Sequence, residues 1–233
     1  MISSLISTVN IPVGEHITRT FGGLTFNVDT IWTTCIAAVI VLALGFYMRA
    51  KVTSGVPSGI QLFFETLVEF VGDLVESTIG RRASRLVPLA VSLFLFILVA
   101  NWLSIIPGGY PKDYLPTPAS DVNTTYALSL VVILVVHAAG FRAKKAKYLK
   151  HFVSPINLIE EITKPITLSL RLFGNLFAGG LMVALIASLL PVYLVPFMTA
   201  GWKLFDMFIG FLQAFIFSLL TIVYFGLAVE EGH

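Results

Sequence analysis

The 233-residue chain is 57% hydrophobic and 12% charged, about half the charged share of roughly 25% usual in globular proteins. So much apolar surface does not fit inside a soluble core of this size, so the surrounding solvent must itself be apolar. With 15 basic against 13 acidic residues, a net charge of +2 and one cysteine, Cys35, the composition excludes a nucleic-acid binder, an internal disulfide and a cysteine-rich metal site.

Residues 1–29 lack the signal-peptide order of basic, apolar and small residues and read as a loop or surface segment outside the membrane. Residues 30–233 read as the membrane domain. Five apolar stretches predict helices at about 30–48, 86–106, 124–141, 155–190 and 197–229, each near or above the roughly 20 residues needed to cross hydrocarbon. No period-2 alternation appears, which argues against a barrel. The expected fold is an all-α integral membrane protein with about five spanning helices.

Between the first two spans, residues 58–80 place Ile60, Phe63, Phe64, Leu67, Val68, Val71, Leu74 and Val75 at helical spacing, with Glu65, Glu69, Asp73 and Glu76 between them. This pattern predicts an amphipathic helix at the interface. Its acidic face suits a protein partner better than anionic lipid. Basic residues set the direction of the spans. Arg49, Lys51, Arg81, Arg82, Arg85, Arg142, Lys144, Lys145, Lys147 and Lys150 fall on one side, against Arg19 and Lys112 with Glu15, Asp29, Asp113 and Asp121 on the other. The positive-inside rule puts the N-terminus outside and the Glu230–Glu231 tail inside, as five crossings require.

Residues 166–196 and 197–229 would make helices about 45 Å and about 50 Å long. Both exceed the hydrocarbon thickness and must tilt, bend or run along the interface. Pro191 and Pro196 in LPVYLVP break helical hydrogen bonding between them, so a long, strongly tilted hairpin is expected.

Arg171 lies in this hairpin, in KPITLSLRLFGNLFAGG. An intramembrane arginine costs about 3 kcal/mol or more at the bilayer centre, and usually faces a partner or a water-filled cavity. Snorkelling or a fixed ion pair with an acid on the next helix are the other readings. Asn175 lies one turn beyond Arg171 and Thr167 one turn before it. Gly174, Ala178, Gly179 and Gly180 leave little bulk nearby, which permits close approach of another surface. On the last helix Asp206, Gly210, Gln213, Phe217, Thr221 and Tyr224 form a stripe. Asp206 reads either as a structural partner of Lys203 or as a titratable carboxylate in an aqueous inlet. Glu160 and Glu161, just before Lys164 and Pro165, read either as a solvated helix entrance or as a proton outlet. Asn101 suits interhelical hydrogen bonding. His137 and His151 are too isolated for a metal site, and His16 and His233 are terminal. No cofactor motif is present.

The stretches LSLRLFGNLFAGG and QAFIFSLLTIVY, with ANWLSIIP and IEEITKP, closely resemble subunit a of the F-type ATP synthase. The resemblance runs from about Val52 to the C-terminus. It implies a membrane stator within a hetero-oligomeric complex, contacting a rotating c-ring, b-type peripheral-stalk subunits and lipid. It further implies that Arg171 faces the ring, that Asn175 and Gln213 lie close to it, and that Asp206 belongs to an outer half-channel. The family commonly carries an acid or histidine nine residues beyond the arginine, where this chain has Gly180. A stand-alone transporter would motivate the same buried charges, but no internal repeat supports it. An intramembrane enzyme would rest on His137 and Asp206 alone. A bacterial plasma membrane is the expected location, with a plastid thylakoid as the alternative.

Overall fold

A computed structural model describes residues 17–21, 23–53, 55–80, 86–106, 117–145, 148 and 154–229. Arg81, Arg82, Arg85, Lys112, Lys147 and Lys150 of the charge asymmetry lie outside these described residues. So do Glu15, Asp113, the Glu230–Glu231 tail, His16, His151 and His233.

The segment expected to be a loop contains an antiparallel hairpin, β1 (Thr18–Phe21) with β2 (Leu24–Asn27), pairing Thr18 with Asn27 and Phe21 with Leu24. Threonines and aromatics suit strands. Gly23, at φ 85°, supplies the left-handed backbone that a two-residue hairpin needs. The Asn27 amide donates to Asp121 Oδ2 at 2.7 Å, fastening the hairpin to the start of a distant helix.

Among the described residues, six long helices follow: α1 (Val28–Lys51), α2 (Gly59–Ile79), α3 (Val87–Trp102), α4 (Val122–Lys144), α5 (Pro155–Leu189) and α6 (Val195–Val229). All but α2 are long and apolar enough to cross a membrane, α3 together with the 3₁₀ turn Leu103–Ile105. The fold is thus an all-helical bundle preceded by one small hairpin. Local chemistry sets several starts. Ser58 Oγ accepts from Gln61 N at 3.4 Å at the start of α2, and Asp121 Oδ1 accepts from Asn123 N at 2.8 Å at the start of α4.

Pro196 does not separate the last two helices, contrary to expectation, because α6 already begins at Val195. In the first turn of a helix the missing proline N–H has no partner to lose. The break falls at Leu190–Leu194, where the Pro191 carbonyl accepts from Leu194 N at 2.9 Å. At 35 residues each, α5 and α6 run about 52 Å, well beyond a hydrocarbon core of about 30 Å.

The helix α6 packs on α3, α4 and α5, while α1 rests mainly against α3 at the periphery. Val71 and Val75 of α2 are buried, and its four acids are exposed. The bundle centre is formed by Ile97, Val132, Leu168, Leu172 and Ile222. Polar side chains also enter it: Ser218 Oγ donates to the Ala90 carbonyl at 3.0 Å, and the Thr125 and Ser169 hydroxyls meet at 3.1 Å.

Ile222→Ala is expected to cost about 2–5 kcal/mol by leaving a cavity. It should lower the thermal unfolding midpoint of the detergent-solubilised chain, whereas Leu227→Ala, 54% exposed on the same helix, should barely move it. Equal losses at both sites would contradict these faces.

Candidate functional site

The hairpin of α5 and α6 sets the geometry of the polar residues. Three contacts define its antiparallel register. Trp202 Nε1 donates to the Gly179 carbonyl at 3.1 Å, Gln213 Nε2 to the Arg171 carbonyl at 3.4 Å, and Lys164 Nζ sits 5.4 Å from the centre of the Tyr224 ring. Asp206 is therefore level with Gly179, Gln213 with Arg171, and Tyr224 with Lys164. Along α5, Gly179 lies about 12 Å from Arg171 in one direction and Glu161 about 15 Å in the other. The arginine stands between two polar clusters.

Arg171 is exposed on α5. Among the described residues, no carboxylate forms an ion pair with its guanidinium. A fixed pair with an acid on α6, one of the readings the sequence left open, is not formed. Gly174, less than one turn away, has nothing within 4 Å of where a Cβ would stand. The charge thus sits on an open, low-relief surface flanked by the exposed apolar residues Leu170 and Phe177. Asn175 is half-buried and Gln213 lies beside Arg171; Asn175 Nδ2 and Gln213 Oε1 are both buried without a hydrogen-bond partner among the described residues. Thr167 is exposed and spends its hydroxyl on the Thr163 and Lys164 carbonyls, at 2.9 and 3.0 Å, so it joins neither cluster.

The first cluster surrounds Asp206, which is 8% exposed. Ser104 Oγ donates to Asp206 Oδ2 at 3.4 Å. Lys203 donates to the Ser104 carbonyl, and no Lys203–Asp206 ion pair forms among the described residues. A Cβ on Gly179 would stand 2.9 Å from Asp206 Oδ1, so the glycine makes room for the carboxylate between the helices. One turn along α6, Asn101 Nδ2 donates to the Gly210 carbonyl at 3.1 Å, while Asn101 Oδ1 is buried without a partner among the described residues. Here too a glycine permits the contact, since a Cβ on Gly210 would meet Asn101 Cβ at 3.0 Å.

The second cluster joins Glu160, Glu161, Lys164 and Tyr224. Lys164 Nζ lies 2.6 Å from Glu161 Oε1 and 3.5 Å from Glu160 Oε1. Glu161 is 8% exposed and Glu160 55%, so Glu161 is the inward member. Two residues not recognised as partners in the sequence complete the cluster. His137 on α4 places Nδ1 2.8 Å from Tyr148 Oη and Nε2 3.6 Å from Glu161 Oε2. Burial, and then the Glu161 carboxylate, push the Tyr148 hydroxyl above the usual phenol range. His137 is not isolated, as its sequence neighbourhood suggested. The fold-back from α4 to α5 closes the 24-residue gap to Glu161.

Ser104 and Gly179 also escaped the sequence reading as members of the site. Ser104 sits in a turn with no charge to mark it. The signal at Gly179 was visible only as small size near an arginine, without the Asp206 that it accommodates.

Residues 30–226 match the family described as "ATP synthase A chain". The chain is 52% identical to "ATP synthase subunit a" of Mycobacterium marinum, with 98% of each chain covered. It is 46% identical to the protein of that name from Acidothermus cellulolyticus, over 97% of this chain and 86% of that one. With the protein of that name from Gloeobacter violaceus the identity is 37%, over 95% and 92%. With the family matched across nearly every described span, the chain belongs to the ATP synthase A chain family.

Proposed function

We propose that the chain is the proton-conducting stator of an F-type ATP synthase, passing protons to and from the carboxylates of a rotating c-ring through two offset half-channels. The observation that carries this reading is Arg171, a permanent charge on an apolar helical face with no described counter-ion. A guanidinium keeps its proton at any relevant pH, so it acts as a fixed charge and not as a carrier. A rotor carboxylate arriving beside it is favoured in its ionised form and gives up its proton. Away from the arginine, a bare carboxylate in lipid is too costly, so the rotor group travels protonated.

The two clusters on opposite sides of Arg171 support separate inlet and outlet paths. Asp206 with Ser104, Asn101, Gln213 and Asn175 supplies the outer path; Glu161, Glu160, Lys164 and Tyr224 supply the inner one. The buried atoms of Asn101, Asn175 and Gln213 that have no partner among the described residues are the kind of groups that hold water in a protein interior. With Gly180 carrying no side chain, Asp206 is the outer path's titratable group. A transmembrane potential of 100 mV is worth about 2.3 kcal/mol per charge, so several protons are pooled for each synthesis event. The chain catalyses no bond chemistry itself. The exposed acidic face of α2 suits a protein neighbour, and a b-type stalk subunit fits that place. The basic-residue asymmetry supports an outside N-terminus and a cytoplasmic C-terminus in a bacterial plasma membrane.

ATP-driven proton pumping in inverted membrane vesicles tests the reading. Arg171→Ala, in complexes that still co-purify with the ring, should fall below about a tenth of wild type, matching the loss of at least one pKa unit of carboxylate stabilisation. Preserved pumping would sink the proposal. Arg171→Lys should also fail substantially, because a desolvated ammonium can lose its proton.

Asp206→Asn should lose pumping with the complex intact, and normal pumping would remove Asp206 from the path. Gly179→Val should impair pumping as well, since even its Cβ would press on Oδ1. A Gly179→Val protein as active as wild type would show that the carboxylate has room to move elsewhere.

A further inference from the structure

The inner cluster holds an imidazole that the proton path above does not use. His137 bridges two elements: Nδ1 meets the Tyr148 hydroxyl at 2.8 Å, and Nε2 faces Glu161 Oε2 at 3.6 Å. We propose that His137 is the terminal proton-exchange residue of the inner half-channel, taking protons from Glu161 and delivering them to water on the basic side of the membrane. This deepens the stator reading and rests on it.

Burial points outward along this pair. The Glu161 side chain is 8% exposed and the His137 side chain 25%, so the imidazole is the more exposed member of the pair. Glu160 is more exposed still, yet its described ion pair is with Lys164, at 3.5 Å. Lys164 also pairs with Glu161, through Oε1 at 2.6 Å, which leaves Oε2 facing the imidazole. Among the described residues, the groups facing His137 are Glu161 from α5 and Tyr148 from the connection after α4. Lys164 stands behind Glu161, Glu160 and Tyr224 flank Lys164, and Arg142 and Lys144 lie further along α4 itself.

The partners suit both protonation states. A tyrosine hydroxyl donates and accepts, so Tyr148 can receive an Nδ1–H or donate to a bare Nδ1. When Nδ1 carries the proton, Nε2 presents its lone pair as an acceptor. The Oε2–H bond of Glu161 then breaks and an Nε2–H bond forms, leaving a carboxylate and an imidazolium. The imidazolium transfers one proton to water and returns to its starting form, so the net movement is one proton from Glu161 to solvent. Pumping driven by ATP runs the same steps backwards. Imidazole is the side chain best suited to exchange protons with water around neutral pH. Gly140 makes the arrangement possible, because a Cβ there would stand 2.6 Å from Tyr148 Cε2.

The test is ATP-driven pumping by the whole synthase in inverted vesicles, whose outer face is the cytoplasmic one, measured against external pH. His137→Gln should pump within about twofold of wild type near about pH 6, where hydronium can protonate Glu161 directly, and fall about tenfold below it near about pH 8. A profile parallel to that of wild type overturns the proposal. Tyr148→Phe keeps the ring and removes the oxygen that stabilises the imidazolium. It should move the alkaline limb of the profile to lower pH, and it decides the matter if His137→Gln fails to assemble; an unmoved limb overturns the proposal. Arg171→Ala is measured alongside. Its retained pumping would sink the stator reading as a whole, whereas its loss together with a wild-type His137→Gln profile would sink the role of His137 alone.

Discussion

A guanidinium held at the level of the hydrocarbon, without a described partner in its own chain, is the constraint around which the molecule is arranged. Leaving an arginine there costs about 3 kcal/mol or more, and a protein built for stability alone would pair it or remove it. Here α5 presents Arg171 on an open face next to Gly174. The bundle therefore carries a charge whose natural complement is a carboxylate on another molecule. On the proposed mechanism that complement is a rotor carboxylate, which the charge holds ionised only while the two are adjacent.

The proposed mechanism also requires that protons reach the two sides of this charge by different routes, and helix length and register suit that requirement. Two 35-residue helices are long enough to carry Arg171 near their middle and a polar cluster toward each end. The antiparallel register sets Asp206 beside Gly179 and Tyr224 beside Lys164. Glycines do the fitting: Gly179 accommodates a carboxylate and Gly210 an asparagine, in an interior where a methyl group would collide. Lys203, bound to the Ser104 carbonyl, leaves Asp206 hydrogen-bonded to a neutral hydroxyl and out of a direct ion pair. The carboxylate thus keeps the capacity to titrate that a tight ion pair would suppress.

The fold was largely legible because its signals are local. Runs of about 20 apolar residues, the amphipathic pattern from Ser58 to Gly80 and the unusual length of the last two helices all follow from composition and periodicity. The hairpin at Thr18–Asn27 is masked in the sequence by the mixed composition of its segment, with Pro12, Gly14, Gly22 and Gly23, although the Gly-Gly pair between two short runs of threonine and phenylalanine is a turn signal. Pro196 belongs to the first turn of the last helix, where proline is tolerated, and so does not break it as the LPVYLVP segment suggests. Arg171, Asp206 and Glu161 stood out because a charge in an apolar run is rare. The partners that give them their surroundings did not. Ser104, His137 and Tyr148 are ordinary residues until the chain folds them against a carboxylate, and that proximity is tertiary information no local pattern contains.

A role for Arg171 in separating two proton paths is tested most directly by passive proton flux through membranes stripped of the catalytic head, with the ring cross-linked to the stator so that it cannot turn. The proposed mechanism predicts that wild-type membranes remain sealed and that Arg171→Ala membranes leak, since nothing then prevents protons from passing between the clusters around Asp206 and Glu161. Sealed Arg171→Ala membranes, with ring and stator both present, would contradict it.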